Sequence, residues 1–489
     1  MSLLQFARVQ MPRHPNTQTL EYIKKTAIMS NNRRSFLKKL AGGALGAALS
    51  PSLLRASEAH ITELEVLDRK FSANDRIRIA AIGMGIQGFA NMRTATQVPG
   101  VELVAVCDLY DGHLTRSKEL FGNNLFTTRD YQELLKRSDI DAVCIATPDH
   151  WHEKIAVEAL QAGKAVYCEK PMVQHLEQGH AIINAQKKSG KTFQVGSQRV
   201  SSIITWKAKE LYEQGVIGQL VMVEAFYDRQ SANGAWQYSI PTDASPETID
   251  WDRFLGDAPK RPYDPVRFFR WRNYQDYGTG MAGDLYVHLF SGLHTVLSSK
   301  GPERIFATGG LRYWKDGRDV PDVQISVLDY PETKEHPAFN MQLRCNFVDG
   351  KGGGSLVRLI GTEGIIDVGW NDVKVERHVM SSRPGYGGWD TFQTFAESEQ
   401  KAYEKWYKEQ YPLPESRIVE PEQMVYRTPD GYSDHLEHWA NFFACMRDGK
   451  PAYEDAVFGL RAAGPSLAAN VSYFGGKPVR WDAEVMKVI

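Results

Sequence analysis

The feature that most constrains the fold is a glycine-rich turn joining two kinds of periodicity. Gly83-Met84-Gly85-Ile86-Gln87-Gly88 follows directly on a short apolar run, residues 76–82, and opens a segment of helical pattern. Such a turn fits a strand–loop–helix unit that cradles a dinucleotide. Gly83 permits the tight turn, Gly85 lets the backbone approach a pyrophosphate, and Gly88 lets helix and strand pack closely. The start of the helix then offers free N–H groups to phosphate. Asp108 ends the next apolar run, residues 101–108, twenty positions after Gly88. An acidic residue placed there hydrogen-bonds the hydroxyls of an adenosine ribose. Leu109 and Tyr110 follow it, with no arginine to receive a 2′-phosphate, so NAD is favoured over NADP.

The alternation continues. Apolar runs at 143–147, 165–168 and 192–195 are separated by helical patterns such as 152–162 and 175–188, which stop at Gly163 and Gly190. This order predicts an α/β fold whose N-terminal domain, residues 74–198, is a Rossmann-type doubly wound parallel sheet. The second half, 199–489, changes character. After a helical stretch at 203–214, β-type segments at 220–228, 304–313, 323–330, 340–348, 355–360 and 365–368 succeed one another with few helices between them. An α/β domain with an open, largely antiparallel sheet is the expectation. Residues 380–430 read as an insertion, and 434–447 as a helix with aromatics on one face.

The first 59 residues read as a start extension and an export signal. Asn32-Arg33-Arg34-Ser35-Phe36-Leu37-Lys38 has the form of a twin-arginine (Tat) signal, recognised by a translocase that carries folded proteins out of the bacterial cytoplasm. The apolar stretch 40–49 is too short to span a hydrocarbon core of roughly 30 Å. Ser57-Glu58-Ala59 supplies a small-x-small cleavage pattern, placing the mature start near His60. Met29 stands just ahead of the arginines, so 1–28 read as an over-extended start. The location implied is periplasmic or otherwise exported. No later stretch is long and apolar enough for a stable membrane span. With a net charge of −1 and no basic run outside the signal, nucleic acid is not an expected partner. The five cysteines form no CxxC pair and no zinc pattern, so no metal is expected and the thiols read as free.

Three further groups carry chemistry. Cys168-Glu169-Lys170-Pro171 ends the fourth strand, where ligands gather in open α/β sheets. A lysine there can hydrogen-bond a reacting hydroxyl and favour the alkoxide that forms as hydride leaves. Asp284 and His288 are four apart in a helical pattern, which puts both on one face. The pair suits acid/base work, the imidazole taking a hydroxyl proton while the carboxylate sets its tautomer or binds substrate. Thr147-Pro148-Asp149-His150-Trp151-His152 follows the third strand and starts a helix, where its polar residues serve either as caps or as nicotinamide and ribose contacts.

Taken together, the glycine loop, Asp108, TPDHWH, AGKAVYCEKP, Gly196-Ser197-Gln198, Asp284-x-x-x-His288 and the helix with His438-Trp439-Ala440-Asn441-Phe442 resemble the Gfo/Idh/MocA oxidoreductases. The resemblance covers nearly the whole chain from about residue 76. It implies an NAD held by Gly83, Met84, Gly85, Ile86, Gln87, Gly88, Asp108, Thr147, His150, Trp151, His152, Glu169, Lys170 and Gln198, and export away from the cytoplasmic NAD pool implies that this cofactor is tightly bound. It implies Lys170, Asp284 and His288 as the catalytic set, and a homodimer or homotetramer whose subunit contacts lie on the open sheet. The segment from Trp271-Arg272 to Gly280 resembles the substrate side of exported members, with Arg272 contacting a sugar. The function implied is oxidation of a secondary alcohol of a sugar, cyclitol or glycoside. A redox-neutral NAD-dependent glycosidase or lyase, working through a transient ketone, is the alternative suggested by the TPDHWH loop. A non-catalytic sugar- or NAD-binding protein is the third reading, and its marker would be loss of the lysine or histidine.

Overall fold

The computed structural model describes residues 60–66, 76–378, 385–412 and 422–489. The twin-arginine run, the apolar stretch after it and the cleavage pattern lie outside the described residues. Strand β1 (His60–Glu63) belongs to the larger of two sheets. The smaller sheet contains β2 (Ile77–Ile82), β3 (Val101–Cys107), β4 (Phe126–Thr128), β5 (Ala142–Ile145), β6 (Ala165–Cys168) and β7 (Phe193–Val195), in the order β4-β3-β2-β5-β6-β7. Every neighbouring pair in it is parallel. Strands β5, β6 and β7 are buried at every position, as helix-covered strands must be. The chain leaves β2 toward β3 on one side and returns to β5 on the other. That reversal opens a crevice at the carboxyl ends of β2, β3 and β5, where the glycine loop, Asp108 and Thr147 sit.

The larger sheet adds β8 (Leu220–Asp228), β9 (Arg304–Gly310), β10 (Val323–Tyr330), β11 (Phe339–Asn346), β12 (Gly354–Gly361), β13 (Gly364–Val368), β14 (Asp372–Arg377), β15 (Glu422–Arg427), β16 (Val479–Asp482) and β17 (Lys487–Val488). Its order is β1-β15-β14-β13-β12-β8-β11-β10-β9-β16-β17. Only β1 with β15 and β8 with β11 run parallel, so the sheet is largely antiparallel. Residues of β11 alternate buried and exposed, the pattern of a sheet covered on one face. The covered face meets the helix Val287–Leu297, whose Leu289, Phe290, Leu293 and Val296 join one continuous core with Leu343 and Leu359.

Two placements escape the sequence reading. Glu422–Arg427, read as the tail of an insertion, is a sheet strand between β1 and β14. The helix Asp434–Asp448 returns to the parallel sheet. Ser433 starts it by accepting a hydrogen bond from Leu436 N, and Gly449, at φ 65°, ends it. Its Trp439 stacks on Tyr167 of β6 with ring centroids 3.8 Å apart. Cys107, Cys144, Cys168 and Cys345 are buried free thiols.

Candidate active site

The glycine loop is shaped by backbone proximity. Gly83 has φ +92°, and a Cβ there would lie 2.6 Å from the Ala146 carbonyl. A Cβ on Gly88 would lie 2.0 Å from the Gly83 oxygen. Gly85 differs: nothing lies within 4 Å of its would-be Cβ, which faces a cavity of about 720 Å³. The helix Ile86–Ala95 starts at Gly85 without a side-chain cap, so its first-turn N–H groups remain for a ligand. At the next strand end, the Asp108 carboxylate accepts from Met84 N at 2.6 Å and Tyr110 N at 2.9 Å. His113 Nδ1 lies 3.1 Å from it. Burial would raise the Asp108 carboxyl, but His113 and the two backbone donors outweigh it and hold the group below its usual range. The two backbone donors occupy two of about four lone-pair positions, which leaves room for a ribose hydroxyl. An empty approach at Gly85, uncapped N–H groups and an ionised strand-end carboxylate fit a bound dinucleotide.

The far wall of the cavity comes from the other half of the chain. Between β8 and Gly280 the backbone makes an excursion containing two short helices, Trp251–Leu255 and Pro265–Phe269. Tyr238, Ile240, Phe254, Phe269 and Trp271 line the cavity opposite the glycine loop. The excursion is tied to the nucleotide edge at several points. Tyr110 Oη donates to Asp243 at 2.5 Å, Asp250 N to Leu109 O at 2.9 Å, and Asp111 N to Thr248 O at 3.0 Å. Trp151 Nε1 donates to Phe254 O at 3.0 Å. A bound dinucleotide would therefore be roofed. Tyr110→Phe removes one charge-assisted hydrogen bond, worth about 1.5–3 kcal/mol, and is expected to speed release of the nicotinamide cofactor about 10-fold or more. Stopped-flow displacement, followed by nicotinamide fluorescence, measures it; an unchanged off-rate would mean the roof does not open at this edge.

Beside the cavity the two halves meet. Lys170, just past β6, places Nζ 2.9 Å from both Asp284 Oδ1 and the Asp284 carbonyl oxygen. Arg272 Nε approaches the same Oδ1 at 3.2 Å, with its guanidinium 4.2 Å above the Trp271 ring. Burial alone would raise the Asp284 carboxyl. Lys170 and Arg272 reverse that and hold it well below the ordinary carboxylate range. The segment Ala282–Tyr286 is wound as a π-turn before the α-helix Val287–Leu297 begins. The wider turn directs Asp284 to the two cations, and no hydrogen bond joins it to His288. The expectation that this carboxylate sets the His288 tautomer is therefore corrected. Burial, reinforced by the charge of Lys170, pushes the His288 imidazole well below its usual pKa, so it is neutral near pH 7 and its buried Nδ1 has no partner.

Asp149, within TPDHWH, takes a role that its position in the motif does not reveal. It is 2% exposed and accepts from Thr279 N at 3.1 Å and Thr279 Oγ1 at 2.8 Å, which ties the third-strand loop to the turn carrying Asp284. Burial, with Asp284 nearby, pushes its carboxyl up to about 7. Because the folded-state pKa lies above the unfolded value of about 3.9, the protonated group stabilises the fold at low pH, and that contribution is lost as pH rises through about 7. Relative to Asp149→Asn, the wild-type melting temperature is expected to fall between about pH 4 and 7. A pH-independent difference between the two proteins would show that Asp149 is ionised throughout.

Of the expected cofactor residues, Gly83, Gly85, Ile86, Gln87, Asp108, Thr147 and Trp151 line the cavity, as does Arg272. Others are engaged by the protein itself. Met84 is fully buried and its N–H is taken by Asp108. Gly88 packs against Gly83. His150 engages Tyr277 O and Phe254 O, and His152 engages Pro171 O and Thr147 O. Glu169 accepts from Gln87, Asn91 and Lys170 N. Gln198 is buried and donates to Tyr167 Oη at 3.2 Å. Short polar motifs at strand ends look alike whether they face a ligand or hold the loop, so sequence spacing does not separate these roles.

A parallel sheet with an uncapped glycine loop, joined to an open, largely antiparallel sheet, defines a two-domain architecture suited to binding a dinucleotide. Residues 77–197 match the family model described as "Oxidoreductase family, NAD-binding Rossmann fold", and residues 207–305 match its "C-terminal alpha/beta domain". Both matched regions are those of the Gfo/Idh/MocA family. It is 28% identical over 209 residues to a glycosyl hydrolase family 109 protein of Shewanella baltica, covering 40% of this chain and 46% of that one. It is 30% identical over 175 residues to an inositol 2-dehydrogenase of Salmonella paratyphi B, covering 35% and 50%. The chain thus spans about half the length of the curated relatives it matches. Among solved structures, levoglucosan dehydrogenase in complex with NADH and levoglucosan aligns over 83% of this chain and 99% of its own, at a TM-score of 0.58 and 17% identity, a likeness of fold.

Proposed function

We propose that this chain is an exported NAD-dependent oxidoreductase that moves a hydride between a retained nicotinamide and a secondary alcohol of a sugar, cyclitol or glycoside. The observation that carries the reading is Lys170, with Nζ 2.9 Å from an Asp284 oxygen that is shared with Arg272, a residue of the cavity lining. NAD, when bound, supplies the hydride acceptor. Lys170 hydrogen-bonds the reacting hydroxyl and stabilises the alkoxide, and Asp284 holds the lysine in place. His288, kept neutral, takes the hydroxyl proton. Arg272 positions the sugar. The relatives named for inositol 2-dehydrogenation favour this reading, and the roof over the cavity favours slow cofactor exchange.

Protein purified without added cofactor is expected to carry nicotinamide absorbance that rises when the right carbohydrate from a panel is added. The reading fails if folded Lys170→Ala and His288→Ala variants keep wild-type turnover on a confirmed substrate. The glycosyl hydrolase family 109 relatives support a second reading, a redox-neutral glycosidase. Product of unchanged redox state, with solvent deuterium exchanged at the carbon next to the oxidised one, would favour it over net oxidation. Export rests on Arg33-Arg34, and an Arg33→Lys/Arg34→Lys protein is expected to stay in the cytoplasm. The exposed Phe306 and Val327, opposite one another on β9 and β10, suit the proposed subunit contact on the open sheet.

A further inference from the structure

The cluster around Asp284, which Arg272 links to the cavity, holds more positive charge than alkoxide stabilisation uses. Lys170 and Arg272 share a single oxygen of Asp284, at 2.9 and 3.2 Å. Arg229 leaves the end of β8 with its guanidinium 5.3 Å from the Tyr227 ring centre, and its charge acts on both Asp284 and His288. Arg199 is buried, donates to the Gly369 and Trp370 carbonyls, and also acts on His288. The nearby anions are Asp284 and Asp149, and Asp149 is only partly ionised near neutral pH. Asp228 is engaged by Arg344 at 2.7 Å. An excess of cations half-withdrawn from water is costly unless an anion answers it.

The free edge of the Arg272 guanidinium shows where that anion would sit. Among the described residues, Arg272 hydrogen-bonds the protein through Nε alone, and it lines the cavity. Stacking on Trp271 fixes its plane, so its two terminal amino groups stand ready as a flat fork. Arg229 uses Nη1 on Gly234 O at 2.8 Å. A neutral sugar would offer these donors only hydroxyls, whereas a carboxylate matches a guanidinium fork with two parallel hydrogen bonds.

We propose that the substrate is a sugar acid, a carbohydrate whose carboxylate is gripped by Arg272 with Arg229 behind it. The assignment rests on the reading of this site as one that binds a carbohydrate alcohol, and it names the class of carbohydrate. Its test uses binding as well as turnover, so that the two ideas can fail separately. The cofactor-loaded protein is titrated by calorimetry with matched pairs: D-glucuronate and D-glucose, D-galacturonate and D-galactose, D-gluconate and D-glucitol. D-glucose 6-phosphate is added to separate carboxylate from phosphate recognition. At least one acid is expected to bind about 10-fold or more tightly than its neutral partner, with Arg272→Gln and Arg229→Gln each erasing most of that preference. Cofactor content is measured in both variants. The proposal is overturned if no acid outbinds its partner, if the phosphate binds more tightly than every carboxylate, or if Arg272→Gln loses cofactor while keeping the preference. An acid that binds selectively but never reduces the cofactor leaves this assignment standing and removes the oxidoreductase reading.

Discussion

Lys170→Ala is expected to slow reduction of the retained cofactor by about 10³-fold while the cofactor itself stays bound. The lysine touches Asp284 twice and neither side chain is more than 12% exposed, so this is not a surface pair worth about 0–1 kcal/mol. Breaking a buried pair costs about 3–5 kcal/mol when the surviving charge is stranded. Asp284 is not stranded here, because Arg272 remains 3.2 Å from the same oxygen. The loss should therefore appear mainly in the rate and only weakly in the melting temperature. Single-turnover absorbance and a thermal melt together decide the matter. A rate within about 10-fold of wild type in a stable variant would make Lys170 a structural partner of Asp284.

The second large effect concerns two glycines three positions apart. Gly88→Ala puts a methyl 2.0 Å from a backbone oxygen, and neither helix nor loop can yield without moving the other. The expected result is a loss of about 3 kcal/mol or more in stability, together with loss of the nicotinamide. Gly85→Ala meets nothing within 4 Å, so the cofactor-free protein should melt within about 0.5 kcal/mol of wild type. Its methyl enters the space a pyrophosphate needs, and crowding of about 1–3 kcal/mol would weaken the cofactor roughly 10- to 100-fold. Melts with and without added NAD read both effects. A Gly85→Ala protein that keeps full cofactor would mean that the phosphates do not approach this loop.

The parallel sheet was legible because strands covered on both faces must be apolar throughout, and 165–168 or 143–147 have no other reason to be so. β4, only three residues with two threonines, carries no such mark. The alternation in β11 exposed the second sheet equally well, whereas β15 was obscured by the loop around it. At the site, Gly83, Asp108 and Lys170 could be placed because each sits at a strand end, where position follows from the strand itself. Asp284 was found by its helical spacing to His288, but the π-turn that redirects it depends on packing that no local spacing reveals. The cavity's far wall was missed for a similar reason. The excursion after β8 contains no long periodic element, only aromatics whose purpose appears once Tyr110, Ile249, Trp251 and Phe254 form one cluster.

The stack of Trp439 on Tyr167 has a consequence for how the chain comes into being. Tyr167 belongs to the early half, yet the ring that covers it is synthesised 272 residues later, and His438 beside it caps the Val195 carbonyl at 2.7 Å. A ribosome reading from the N-terminus delivers all six strands of the parallel sheet long before the helix that seals one of its faces. Nascent parallel sheet would wait with apolar surface uncovered, the condition in which chains associate wrongly and chaperones are recruited. Any truncation that stops before residue 434 leaves that surface permanently bare, so the dinucleotide-binding half is a poor candidate for expression by itself. Maturation is paced by the arrival of the C-terminus.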